Sequence, residues 1–143
     1  MKEILSRLSE NKAMTDPEAS DLRLRGRTYA IPFEEVWQAS ISLCSGGLRR
    51  WTMAGVDDQS GVIEAETRSA ILGVEDDVRV QIVLDYNAQT RVDMQAVSRA
   101  DRGDLGRTRR AIGRFFKHLD RRLSADPNQI LDTMRLGVGQ EES

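Results

Sequence analysis

The sequence is poor in cysteine and histidine. Its 143 residues include one cysteine, Cys44, and one histidine, His118. A single cysteine cannot form an intramolecular disulfide or supply a zinc cluster of cysteine ligands. A catalytic Ser-His-Asp triad would have to use His118, and no G-x-S-x-G motif is present. We therefore expect no disulfide scaffold, no metal centre and no triad, and the sequence indicates no cofactor.

Long apolar segments and a strong net charge are also lacking. No stretch approaches the roughly 20 apolar residues that cross a bilayer, and residues 1–8 have no continuous apolar core of the kind found in a secretory signal. The formal net charge is −2 and the pI is near 5.5, whereas nucleic-acid-binding domains are usually strongly basic. These absences predict a soluble, cytoplasmic protein with no strong nucleic-acid signal.

The residues that are present fit one globular domain. Hydrophobic residues make up 39% and charged residues 31% of the chain, which is an ordinary globular composition. A chain of this length can bury roughly two thirds of its unfolded surface. We predict a partly mobile lead-in over residues 1–25, a single α+β domain over residues 26–125, and a short helix with a loose tail over residues 126–143.

Two hydrophobic periods alternate along this domain. A short strand over residues 27–31 precedes a helix that begins at Pro32 and ends at a pair of glycines. Period-two alternation then predicts hairpins over residues 51–69 and 78–96, and a period of 3.6 predicts a helix over residues 105–123. Because each strand has one apolar face, both helices should cover that face. The expected fold is an α+β two-layer sandwich with a mainly antiparallel sheet, in the order strand, helix, four strands, helix.

The most distinctive polar stretch joins the last predicted strand to the last helix. An antiparallel hairpin brings the start of one strand beside the end of the next, so Asp76 or Asp77 should lie near Ser98 and Arg99. A planar guanidinium group suits a carboxylate, and Asp104 is placed to cap the last helix. We predict a polar cluster here, with the candidate ligand-binding residues Asp76, Asp77, Ser98, Arg99, Arg102, Asp104 and Arg110.

Several short motifs of this stretch occur together in one protein family. They are Asp76-Asp77-Val78, Thr90-Arg91-Val92-Asp93, Ser98-Arg99 with Arg102, Asp104-Leu105-Gly106, and Arg110 with Ile112. With these motifs the chain resembles the bacterial and plant domain-of-unknown-function family numbered 1499, over about residues 27–123 and most strongly over residues 76–116. Asp101 stands where the family usually has a glycine, and Thr108 where it usually has an asparagine. The resemblance implies a family and no reaction.

Three functions are open for the cluster and the helix that follows it. The first is a non-catalytic small-ligand-binding or interaction module, with an apolar cavity whose polar mouth lies near Ser98, Arg99 and residues 71–74. The second is an enzyme, and its acid–base groups would be Asp76, Asp77, Arg99 and Asp104. The third is weak contact of the arginine-rich last helix with nucleic acid or an anionic surface.

Each feature also has a purely structural interpretation. The cluster can be a clasp that ties the last helix to the hairpin, since capping and ion pairing would satisfy its groups. The arginine-rich helix has the pattern of a solvated face. Gly103 and Gly106 bracket a helix start that would suit phosphate, but Asp104 between them would repel it. We favour the non-catalytic module, because the sequence contains no recognisable nucleophile–base pair and no metal-ligand set.

Overall fold

The structure is a computed structural model that describes residues 12–70, 73–85, 87–99 and 105–131. Within these ranges the chain forms six strands, two long helices and three shorter helical segments. In chain order the strands and long helices are β1 (Lys12–Met14), β2 (Arg27–Tyr29), α1 (Phe33–Ser42), β3 (Trp51–Asp57), β4 (Val62–Arg68), β5 (Glu75–Leu84), β6 (Thr90–Ser98) and α2 (Leu105–Arg122). The predicted α+β class with a mainly antiparallel sheet is confirmed.

All the strands belong to one antiparallel sheet. Its order is β1–β6–β5–β4–β3, and β2 also pairs with β6. β1 and β2 therefore lie one after the other along the same edge of β6. The two predicted hairpins are the pairs β3–β4 and β5–β6. β1 could not be predicted from the sequence, because three residues are too few to show period-two alternation.

One face of the sheet and both helices share a single core. The inward residues of β5, namely Val78, Val80 and Ile82, are buried, and the residues between them are exposed. The helices contribute the fully buried side chains Val36 of α1 and Ile112, Phe115, Phe116 and Leu119 of α2. The arrangement is consistent with the predicted sandwich, in which the helices cover one apolar face and leave a charged face open.

Polar contacts tie the edge of the sheet to α2. The hydroxyl of Tyr29 on β2 donates to the carboxylate of Asp120 on α2 at 2.5 Å. The guanidinium carbon of Arg27 lies 5.1 Å from the centroid of the Phe116 ring. Beyond α2, Ile130 forms an isolated bridge with Tyr29. These contacts hold α2 against β2 at the edge of the sheet.

The predicted boundaries at residues 26 and 125 stay a prediction. Most of the predicted C-terminal segment lies outside the described residues, which there include a short 3-10 turn at Pro127–Gln129. Over the ranges that the structure describes, no helix is both long enough and apolar enough to span a membrane.

Candidate functional site

The predicted polar cluster is divided between the two faces of the sheet. The register of β5 and β6 places Asp76 opposite Ser98 and Asp77 opposite Val97. Successive strand residues point to opposite faces, so Asp76 points towards the helices and Asp77 points away from them. Asp76 is 2% exposed, whereas the side chain of Asp77 is 54% exposed. The neighbours along the chain therefore belong to two separate groups.

The inner group consists of Asp76, Ser98 and Arg107, and we call it the inner clasp. Arg107 lies in the first turn of α2 and binds Asp76 with two donors, Nη2 to Oδ1 at 2.7 Å and Nε to Oδ2 at 3.2 Å. The same Nη2 donates to Oγ of Ser98 at 2.7 Å. Charge-assisted bonds of this two-pronged kind are strong and fix the guanidinium plane. The inner clasp thereby ties the start of α2 to the end of the β5–β6 hairpin.

The outer group is centred on Arg99, whose side chain is 42% exposed. Its Nε donates to Oδ2 of Asp77 at 3.0 Å, and its Nη2 donates to Oε1 of Glu66 at 2.8 Å. Its Nη1 contacts the carboxylate of Glu75. The hydrogen bond to Asp77 and then that to Glu66 raise the pKa of Arg99. Because carboxylates of this chain already occupy the guanidinium group, the outer group fits a structural role better than ligand binding.

A cleft of about 570 Å³ opens beside the inner clasp. It lies between the first half of α2 and the end of the sheet where β3 and β5 begin and β4 ends. Its volume is within the range of about 300–1,000 Å³ that is typical of small-molecule sites. We call it the arginine cleft, and its lining residues are Arg49, Arg50, Trp51, Thr67, Arg68, Ser69, Ala70, Asp76, Arg107, Arg110, Ala111 and Arg114.

Local backbone geometry places one wall of this cleft. Arg50 has φ of 65°, the left-handed conformation that non-glycine residues rarely adopt outside tight turns. Its carbonyl accepts a hydrogen bond from the backbone N–H of Arg68 at 3.1 Å. The turn that enters β3 is thus fastened to the end of β4, and Arg49 and Arg50 lie across the cleft from α2.

The charge of the arginine cleft is strongly one-sided. Six arginines and a single carboxylate, Asp76, line it. Two of the arginines have acidic partners, Arg107 with Asp76 and Arg68 with Glu75 at 3.3 Å. Within the described part of the chain, the other four guanidinium groups have no hydrogen-bond or ion-pair partner: Arg49, Arg50, Arg110 and Arg114. The net charge of −2 for the whole chain therefore conceals a concentrated cationic surface.

The predicted site residues are distributed unevenly around this cleft. Asp76 and Arg110 line it, and Ser98 supports it through Arg107. Asp77 and Arg99 lie on the opposite face of the sheet, while Arg102 and Asp104 lie outside the described residues, as do residues 71–72 of the predicted polar mouth.

Apart from Arg110, the arginines that build the cleft were not among the predicted site residues. A signal for part of the set was available, because Arg107, Arg110 and Arg114 are spaced at i, i+3 and i+7, which places them on one helix face. Strand parity also indicated that Asp76, and not Asp77, would face inward with Val78. Nothing local relates Arg49 and Arg50 to α2, so only the tertiary structure could add them.

The remaining titratable candidates lie away from the cleft. Cys44 is fully buried, and this burial raises the pKa of its thiol to about 12. Burial, followed by the positive charges of Arg114, Arg121 and Lys117, lowers the pKa of His118. Across the described ranges, no three histidine, cysteine or acidic side chains converge in a way that could hold a metal ion.

Comparison with known proteins identifies the family. The family model described as "Protein of unknown function (DUF1499)" matches residues 7–119, which is well over half of the chain. No curated protein matches this sequence. The matched region spans all six strands and most of α2, and it agrees with the resemblance carried by the motifs of the polar stretch. The chain therefore belongs to the DUF1499 family of proteins of unknown function.

Proposed function

We propose that this domain is a non-catalytic module that binds a small organic anion in the arginine cleft. The observation that carries the proposal is the set of four guanidinium groups without acidic partners around one cleft. A guanidinium group presents a planar fork of donors that matches carboxylate and phosphate oxygens. Four such groups around one space favour an anion with several acceptor oxygens.

The walls between the charges indicate that the ligand also has an apolar part. Trp51, Ala70 and Ala111 line the same cleft, and long arginine side chains present apolar stems beneath their charged ends. Binding sites of this kind combine apolar walls with a few polar groups that fix the orientation of the ligand. An aromatic or aliphatic carboxylate or phosphate is the ligand class that suits both features.

The composition of the cleft favours binding over acid–base catalysis. Arginine stays protonated in proteins, so it does not exchange protons with a substrate at neutral pH. The one carboxylate, Asp76, accepts hydrogen bonds from Arg107 on both of its oxygens. The other groups of the enzyme hypothesis that are described, Asp77 and Arg99, pair with each other on the opposite face of the sheet.

The proposal is tested by calorimetric titration of the full chain with 1-naphthyl phosphate, with inorganic phosphate and 1-naphthol as comparisons. We expect saturable binding of 1-naphthyl phosphate that is tighter than that of either comparison. Exchange of Arg110 and Arg114 for glutamine should weaken this binding at least about tenfold, because a hydrogen bond to a charged group contributes about 1.5–3 kcal/mol.

The matched control is the double exchange Arg121→Gln and Arg122→Gln. It removes the same charge from the same helix, but neither residue lines the cleft. Equal weakening by the two double variants would show that general charge and not the cleft attracts the anion. Absence of saturable binding to the unmodified chain, or unchanged binding after loss of Arg110 and Arg114, would overturn the proposed function.

A further inference from the structure

The cationic surface of α2 continues beyond the arginine cleft. At about 3.6 residues per turn, the basic residues of α2 that lie opposite its buried face fall within an arc of about 100°. We call this set the basic stripe, and its members are Arg107, Arg110, Arg114, Lys117 and Arg121. The first three line the cleft, and the last two extend the line towards the C-terminal end of the helix. The stripe from Arg110 to Arg121 is about 16 Å long at about 1.5 Å per residue.

The basic stripe has almost no acidic counterpart. Among the described residues, Arg107 is the one member of the stripe with a salt bridge. The single acidic residue of α2, Asp120, lies on another side of the helix and binds Tyr29. Solvated helix faces usually mix both signs of charge, and like charges three or four residues apart destabilise a helix. A stripe of one sign therefore costs stability and fits a surface that meets an anionic partner.

The charges of the stripe act on the same region of space. His118 lies among them on α2, and the positive charges of Arg114, Arg121 and Lys117 add to burial in lowering its pKa. The three cations are therefore close enough to repel one additional proton together. An anion with repeating charges would neutralise several cations of the stripe at once. A single small anion in the cleft would reach only the arginines of the stripe that line the cleft.

Resting on the proposed function of the arginine cleft as an anion site, we propose that the cleft arginines also hold the terminal phosphate of a linear polyanion of the polyphosphate type, whose chain lies along the basic stripe. Such a polyanion makes no use of the apolar walls that favour a small organic anion, and the basic stripe supplies its additional affinity instead. Basic residues occur from the cleft walls at Arg49 and Arg50 along α2 to Arg121. A polyanion without bases fits better than a single-stranded nucleic acid, because binding of bases uses exposed aromatic rings. The phenyl rings of α2, Phe115 and Phe116, are buried, so neither is exposed along the stripe.

An anionic membrane surface fits less well than a free polyanion. Helices that bind a bilayer combine basic residues with apolar side chains that insert between the lipids. The large exposed apolar side chains of the described structure are Met14, Leu22, Val56, Val83 and Leu84, and none of them lies on α2. The stripe therefore has the positive charge that attracts an anionic membrane but lacks the exposed apolar side chains that would insert into it.

The test is a calorimetric titration of the full chain with inorganic phosphate, tripolyphosphate and long-chain polyphosphate at several salt concentrations. We expect the affinity to rise with chain length. The double exchange Lys117→Gln and Arg121→Gln should weaken long-chain binding roughly tenfold and lower the salt slope by about one for each cation removed. It should leave the affinity for 1-naphthyl phosphate unchanged. The matched control is Arg79→Gln with Arg122→Gln, which should leave long-chain binding unchanged.

The outcomes separate this inference from the proposed function. Binding of 1-naphthyl phosphate with no dependence on polyphosphate length would overturn the polyanion inference and leave the proposed function standing. Failure of every anion to bind would overturn both. Tighter binding of a mixed single-stranded oligonucleotide than of polyphosphate would overturn the choice of partner in favour of nucleic acid. Stripe-dependent sedimentation with phosphatidylserine vesicles, without polyphosphate binding, would overturn it in favour of a membrane.

Discussion

The two neighbouring aspartates of β5 each pair with an arginine, one in a buried place and one in an exposed place. Comparing the two pairs therefore tests how burial changes the contribution of an ion pair to stability. Asp76 pairs with Arg107 on the helix-covered face, and Asp77 pairs with Arg99 on the open face. Exchange of Arg107 for methionine leaves the carboxylate of Asp76, which is 2% exposed, without its charged partner. Removal of one member of a buried pair costs about 3–5 kcal/mol. We expect the lower limit, about 3 kcal/mol, because the side chain of Arg107 borders an open cleft that water can enter.

The measurement is urea unfolding followed by circular dichroism at pH 7. With a slope of about 2 kcal/mol/M, the midpoint of the Arg107→Met variant should fall by about 1.5 M. The matched control, Arg99→Met, removes an arginine whose side chain is 42% exposed and which meets the three carboxylates of Asp77, Glu75 and Glu66. We expect these pairs together to contribute less than about 1 kcal/mol, because water screens exposed pairs and many of them contribute nothing measurable. The midpoint of Arg99→Met should therefore fall by less than about 0.5 M.

A double variant identifies the buried charge as the cause. If Asp76 is also exchanged for asparagine, no uncompensated charge remains, so the Arg107→Met and Asp76→Asn double variant should be more stable than Arg107→Met alone. Equal losses for Arg107→Met and Arg99→Met, or strictly additive losses in the double variant, would refute the reasoning that burial decides the strength of these two pairs.

Two further predictions follow from backbone geometry and from the titration of His118. Gly61→Ala should lower the free energy of unfolding by more than about 1 kcal/mol, because Gly61 has φ of +71° and an added Cβ would lie 2.1 Å from the carbonyl oxygen of Ile82. The control is Gly55→Ala, whose added Cβ would meet nothing closer than 3.9 Å. Similar urea midpoints for the two variants would contradict the expectation. His118 has a folded-state pKa below its ordinary value, so the unfolded chain takes up its proton first and the contribution of His118 to stability falls as the pH drops through about 6.5. Its imidazole titration in NMR should have a midpoint below that value that rises in Arg121→Gln, and a midpoint that does not respond to this exchange would contradict the assigned cause.

Sequence periodicity predicted most of the sheet and both helices correctly. The alternation from Val78 to Leu84 and from Val92 to Ala96 predicts a hairpin, and the structure pairs these segments as β5 and β6. The signal is clear because one face of each strand is buried and the other is exposed. The period of 3.6 in α2 was equally informative, because every buried residue from Ile112 to Leu119 follows it.

The candidate site was predicted only in part. The proximity of Asp76 to Ser98 followed from the geometry of a hairpin, and the structure places them opposite each other. The partner of Asp76 was not predicted. Arg99 follows Ser98 in the sequence but points to the other face of the sheet, and the arginine that binds Asp76 is Arg107 of α2. The turn at Arg49 and Arg50 is farther from α2 along the chain than Asp76 is. Its position beside the cleft depends on the hydrogen bond from the backbone N–H of Arg68 to the carbonyl of Arg50.

Local sequence patterns specify the spacing of buried residues in each strand and helix, the face of the sheet towards which each strand residue points, and the face of α2 that carries its positive charge. These are local properties, because the side-chain directions of a strand or a helix repeat at fixed intervals. Tertiary packing, by contrast, sets which arginine neutralises the buried Asp76 and which arginines surround the cleft. Those pairings join residues that are distant in the chain, and they depend on how α2 packs across the end of the sheet.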